Sequence, residues 1–320
     1  MNALRNLRWR PRWVSRMGCV RACLDYLGIH VSDPWLYGGT GHAFVINVHE
    51  TVCASGPTAW RADVLDDLGR NLGYRSERTF GTRANGELET AREAAWNHAR
   101  AAIAEGCPCY GWELLAPEFY VIYGTDESGY YYSGLDCETG TGPLPWRKLG
   151  DTTIGIIELV CIRAGEAAPP GRTVHDALSF ALAHARSPGD AVPPGYRSGP
   201  DAFAAWIAAL EGGTASDLGT RYNAGVWLEC RRNAVGFLSE ARERLPAGDE
   251  PLFDEALRHY AAVEANLSSV AHVYPLHAYV EDGHTLPVDE RSRSAADSLR
   301  KARSAEIAGL HALELILDRL

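Results

Sequence analysis

Lysine is almost missing from this 320-residue chain: Lys148 and Lys301 are the only two, and the remaining fixed positive charge is arginine. The net charge is −10, and no basic block exists beyond the arginines between Arg5 and Arg16. Such a surface repels a phosphate backbone, so nucleic acid is not an expected partner despite nine tryptophans. No stretch approaches the roughly 18 consecutive apolar residues that a membrane span needs. The arginines near the amino terminus run into Pro11 without the apolar segment and small-residue cleavage site of a secretory signal, so the expected location is cytoplasmic. No internal repeat is visible. With no export signal, the eight cysteines read as free thiols, most of them small buried apolar residues.

What is present describes a folded chain in two parts. A hydrophobic share of 46% against 22% charged residues excludes extensive disorder, and the length exceeds what one core usually supports. Residues 14–27 read as a helix, with Met17, Val20, Leu24 and Leu27 at three- and four-residue spacing and Gly28 as its stop. Residues 36–49 read as a glycine-rich loop feeding a buried strand. Helices are expected at 63–72 and 88–105, and strands at 107–114, 119–123, 130–133 and 154–162. This is an α+β layout, helices followed by an antiparallel sheet. The breaker-rich segment 164–171 reads as a linker, with a second punctuated stretch at 187–200. Beyond it, amphipathic helices are expected at 174–185, 201–211, 221–243, 252–274 and 291–319, forming a helical bundle. The expected domains are therefore 1–165 and 173–320.

Three phrases point further: Cys-Leu-Asp-Tyr-Leu-Gly-Ile-His-Val-Ser from Cys23, Gly106-Cys-Pro, and Val-Ile-Tyr-Gly-Thr-Asp from Val121. In this order they resemble papain-like cysteine peptidases of the bacteriocin-processing type, and more narrowly the butirosin biosynthesis protein H family. The resemblance covers about residues 14–163. It implies a papain-like amino-terminal domain and acyl transfer through a thioester, from a carrier protein to an amine. It also implies a nucleophile in the register of Ser15 and a histidine at the start of the Val-Ile-Tyr-Gly strand, where this chain has Glu118 followed by Phe119.

Both implied catalytic positions thus carry other residues, and the neighbouring chemistry supplies candidates. Cys19 lies one turn beyond Ser15 on the same helix face, a candidate nucleophile, with His42 from the glycine-rich loop as base and Glu118 as acid or orienter. Ser15, Trp60, Trp112, Glu113, Tyr120 and Tyr131 are the candidate substrate contacts, the aromatic rings for stacking on a cationic or aromatic small molecule and Glu113 for an amine. Three functions follow: a cysteine-dependent acyl transferase or amide hydrolase of specialised metabolism, a catalytically altered protein binding a small molecule or peptide, and a carboxylate enzyme using Glu113 and Glu118. The expected partners are a small-molecule substrate and an acyl carrier protein. No cofactor is expected: His42, His49 and Cys53 fit no standard zinc spacing, Cys107-Pro-Cys109 is too tight, and Gly38-Gly-Thr-Gly41 lacks the Lys-Ser/Thr of a phosphate loop. In the tail, Asn223, Trp227 and Arg231 share a helix face, either a polar surface or a wall over the cleft. Ile307, Leu310, Leu313, Ile316 and Leu317 form a stripe suited to a bundle or to a homodimer.

Overall fold

A computed structural model describes residues 2–186, 189–276 and 283–320. In chain order its elements are β1 (Asn2–Ala3), α1 (Ser15–Leu27), α2 (Asp33–Gly39), β2 (Asn47–His49), α3 (Val64–Gly69), β3 (Leu72–Thr82) and α4 (Leu88–Ala104). Four strands follow, β4 (Cys109–Trp112), β5 (Phe119–Thr125), β6 (Gly129–Ser133) and β7 (Thr141–Pro145), then the long β8 (Ile156–Ala167). The remainder is α5 (Pro170–Arg186), β9 (Tyr196–Ser198), α6 (Gly199–Gly212), α7 (Asp217–Arg244), α8 (Glu250–Val273) and α9 (Glu290–Leu317). Among the described residues no helix is long and apolar enough to cross a membrane.

Two compact units result, one of Met1–Val31 with Gly73–Ala167, the other of Ser32–Leu72 with Ala168–Leu320. This corrects the linear division expected at residue 165, because residues 32–72 belong with the carboxy-terminal helices. The expected linker is corrected too. Residues 164–167 continue β8 and helix α5 begins at Pro170, a residue whose fixed φ suits a first helical turn.

The first unit is a mixed α/β body. Its sheet runs β3-β8-β4-β5-β6-β7, with β1 pairing the carboxy-terminal end of β5. Pairing is antiparallel from β8 through β7. Helix α1 ends as expected at Gly28, which takes the left-handed φ of +71° while its N–H reaches the carbonyls of Asp25 and Leu24. It is not amphipathic in the expected way. Every residue from Ser15 to Leu24 is buried, including Arg16, which meets Glu158 of β8 at 3.2 Å. Three strands of this unit escaped the pattern reading, the two-residue β1 and the longer β3 and β7. β3 carries Arg75, Glu77 and Arg78 at the sheet's edge, and β7 carries a glycine and two prolines, tolerated because it forms the opposite edge.

The second unit is helical with one small ribbon. Ser32 caps α2 by accepting the Trp35 N–H at 3.0 Å, and Pro34 fits the first turn, so residues 33–39 form a helix where a glycine-rich loop was expected. The apolar run after it is buried, yet only residues 47–49 form a strand, paired antiparallel with β9. The carbonyls of Ala43 and Val45 are taken instead by the Arg231 guanidinium, at 2.9 and 2.8 Å. Arg231 in turn holds the Glu306 carboxylate through two bonds of 2.9 and 2.7 Å, and neither side chain has any exposed surface. One buried arginine thereby does for this segment what a sheet ladder would do. Trp206, Trp227, Phe203, Phe237 and Tyr260 fill the helical core. Of the α9 stripe, Leu310, Leu313 and Ile316 are buried within this unit and Ile307 is exposed.

Candidate functional site

The first unit brings together the two residues that stand where the family resemblance expects a cysteine and a histidine. Ser15 is the first residue of α1, and Glu118 ends the turn that leads into β5. The Ser15 hydroxyl donates to Glu118 Oε2 and accepts the Phe119 backbone N–H at 3.1 Å. The turn that presents Glu118 is closed by its own bonds: the Glu113 N–H donates to the Glu118 carbonyl at 2.8 Å, and the Ala116 N–H to the Tyr120 hydroxyl at 3.1 Å. Trp9 braces the helix start, its indole N–H donating to the Ser15 carbonyl at 3.3 Å.

Side chains around this pair are mostly aromatic. Phe119 packs edge-on to Trp112 at 5.0 Å and lies under the Arg16 guanidinium at 5.4 Å. The Trp112 indole N–H is buried and has no hydrogen-bond partner among the described residues. Leaving such a donor unmet costs about 1–3 kcal/mol, a cost a ligand acceptor would relieve. Glu118 itself is half-buried. The site thus offers a hydroxyl and a carboxylate against an apolar floor.

Cys19 lies close by and does not have the character expected of it. It is fully buried, and its thiol is pushed well above the ordinary value by that burial, then by the neighbouring Cys23 and by the Glu118 carboxylate. A thiol held protonated is the opposite of an activated nucleophile. His42 belongs to the second unit, where it is 2% exposed in a nest of rings, edge-on to Trp60 at 5.7 Å and to Tyr37 at 6.1 Å. Neither unit contains both Cys19 and His42.

Other candidate contacts separate in the same way. Trp60 is a core ring of the second unit, stacked on Phe180 and edge-on to His184 at 5.3 Å. Tyr120 is buried beside Tyr132, with its hydroxyl engaged by the turn described above. Tyr131 donates to Asp126 at 2.7 Å and stands opposite Gly124, six residues along β5 from Glu118, about 20 Å at strand spacing. Glu113 sits in the left-handed region at φ +58°, and its buried carboxylate accepts the Thr152 hydroxyl at 2.7 Å, anchoring a loop rather than a substrate amine. In the second unit, Asn223 and Trp227 bond to each other at 2.8 Å in the core, so the helix face they share with Arg231 is neither a polar surface nor an open wall.

Sequence reasoning missed the Phe119 N–H, which no side-chain pattern could mark, and the Arg16–Glu158 ion pair, whose partners are 142 residues apart in sequence by their numbers. Among the described residues no group of three or more His, Cys, Asp or Glu is placed to hold a metal ion. Comparison with protein-family models finds none that matches the chain, and comparison with curated proteins finds none that matches either.

Proposed function

We propose that the first unit is a papain-like domain whose cysteine–histidine pair has become Ser15–Glu118, and that it binds an amine-bearing small molecule instead of transferring an acyl group. The observation that carries this reading is the direct hydrogen bond from Ser15 to Glu118, at the two positions the resemblance assigns to nucleophile and base. A cysteine mechanism has no support at Cys19, which is buried and held protonated.

Magnitudes weigh against the serine as a replacement nucleophile. Moving its proton to a carboxylate spans roughly eleven pK units, on the order of 15 kcal/mol at 1.36 kcal/mol per unit, using the values of an ordinary glutamate and of water as a stand-in for an alcohol. A histidine narrows that gap by about two units, so a serine beside Glu118 faces the wider one. The same carboxylate is well suited to hold a cation, and the indole N–H of Trp112 to meet a ligand carbonyl or hydroxyl.

The test is a thermal-shift screen of the whole chain against primary amines, polyamines and aminoglycosides, run beside an assay for acyl transfer from thioester donors. A ligand at about 100 times its dissociation constant adds about 2.7 kcal/mol of stability, several degrees in Tm for a protein of this size. The expected result is a shift with at least one cationic class, lost in Glu118→Gln, without turnover. Turnover that disappears in Ser15→Ala would overturn the reading, as would shifts indifferent to Glu118→Gln.

A further inference from the structure

A pair of thiols on β4 and β8 takes no part in the Ser15–Glu118 contact. Cys109 of β4 and Cys161 of β8 are direct cross-strand partners, and their sulfurs are 3.0 Å apart, Cys109 donating to Cys161. The flanking bond from the Ile162 N–H to the Pro108 carbonyl, 2.9 Å, marks them as a non-hydrogen-bonded pair of the antiparallel ladder. At such pairs the Cα atoms stand about 4.5 Å apart and the side chains are closest, within the span a disulfide bridges.

A base stands next to the pair. His98 of α4 is held by the Thr79 hydroxyl at 3.1 Å on Nδ1 and by Glu77 at 3.4 Å on Nε2. Its charge is felt by the pair: the Cys109 hydrogen bond and then His98 pull Cys161 below the ordinary thiol range, and the Cys161 sulfur in turn raises His98. Both cysteines are fully buried, while the His98 side chain keeps 23% of its surface exposed. His98 thus gives the buried pair a partly exposed neighbour. With both sulfurs fully buried, a small neutral oxidant is the suitable class, and a bulky disulfide is not.

We propose that Cys109 and Cys161 form a reversible dithiol centre that consumes a hydroperoxide and closes into a cross-strand disulfide. The Cys161 thiolate attacks the distal oxygen of the peroxide, forming an S–O bond as the O–O bond breaks, and the leaving oxygen departs as water or alcohol with a proton from His98. The Cys109 sulfur then attacks Cys161, its proton leaving with the hydroxide as water while the S–S bond forms. In sum, two thiols and one hydroperoxide give one disulfide and, for hydrogen peroxide, two waters. Cys161 is the attacking residue, Cys109 the resolving one, and His98 the proton donor to the leaving oxygen, which also holds the thiolate.

The experiment uses the whole reduced chain, freed of reductant, exposed to hydrogen peroxide at pH 7, then denatured, alkylated and peptide-mapped. The expected product is a peptide pair linked through Cys109 and Cys161 and recovered as two thiols by dithiothreitol. Cys109→Ala is expected to leave a sulfenic acid on Cys161 that dimedone traps, and His98→Gln to slow disulfide formation by about tenfold as the thiolate fraction falls. The proposal is overturned if both thiols remain alkylatable after a dose that oxidises the half-exposed Cys53 and Cys137. It is equally overturned if Cys161 links instead to Cys23 or Cys107, or if His98→Gln leaves the rate unchanged. The wild-type map decides the pairing even where a variant fails to fold.

Discussion

If Ser15 and Glu118 occupy the positions of a thiol nucleophile and its base, putting those groups back must produce a reactive thiolate. Three variants separate the contributions: Ser15→Cys, Ser15→Cys with Glu118→Gln, and Ser15→Cys with Glu118→His. In the first, a thiolate would sit against the Glu118 carboxylate that now accepts the Ser15 hydroxyl. Two like charges about 3.5 Å apart at an effective dielectric of about 20 repel by about 4–5 kcal/mol, raising a thiol from about 8.5 to roughly 11 or more. With Glu118→Gln that repulsion is gone and the Phe119 N–H and helix start favour the anion. With Glu118→His an imidazolium replaces the carboxylate, and thiols so paired fall to roughly 3.5–7. At pH 7 the thiolate fraction therefore rises by about four decades from the first variant to the third. About two decades are returned through weaker nucleophilicity, with a Brønsted slope of about 0.4–0.5. Iodoacetamide labelling of residue 15, read by mass spectrometry across pH 5 to 9, should be about a hundredfold faster at pH 7 in the third variant than in the first, with the glutamine variant between. Equal rates in all three, with melting curves showing each variant folded, would refute the assignment of these positions.

Two further expectations concern the second unit's stability. Burial depresses His184 to about 4, with the Arg231 charge adding to the effect. An ordinary histidine titrates near 6.5, so between about pH 6.5 and 4 the unfolded chain binds the extra proton; stability is full above the upper value and falls as pH drops toward the lower, by about 3 kcal/mol at most. Urea titrations at pH 7 and 4.5 should show His184→Phe losing less stability on acidification than the parent, and an identical loss would contradict this. The buried Arg231–Glu306 pair supports a second test, since removing one partner strands a charge without solvent. Glu306→Leu should cost about 3–5 kcal/mol in urea unfolding, and adding Arg231→Met should recover part of it; a double variant no better than the single one would argue against charge burial as the cause.

Legibility in the sequence followed the range of the interactions involved. Helix α1, its stop at Gly28 and the five tail helices are written in local spacing and capping chemistry, and a reader of the chain alone finds them. The strands rich in aromatic and β-branched residues were also visible, but β3 was not, because an edge strand can carry Arg75, Glu77 and Arg78 without burying them. The segment 32–72 was assigned to the wrong unit for a related reason. Its apolar run around Val45 has the composition of a central strand, yet its carbonyls are satisfied by one guanidinium from a helix nearly two hundred residues away, and no local pattern encodes that. Sites show the same division. Ser15 and Glu118 could be singled out by register, yet only pairing in space shows that they bond to each other. The thiol one turn along looked equally available from helical periodicity. What removes it is the desolvation of a helix buried on every side through Leu24, a property of the packing around α1 and not of its spacing. A cysteine's reactivity is therefore legible only where its burial is, and on this helix even Arg16 and Arg21 are buried.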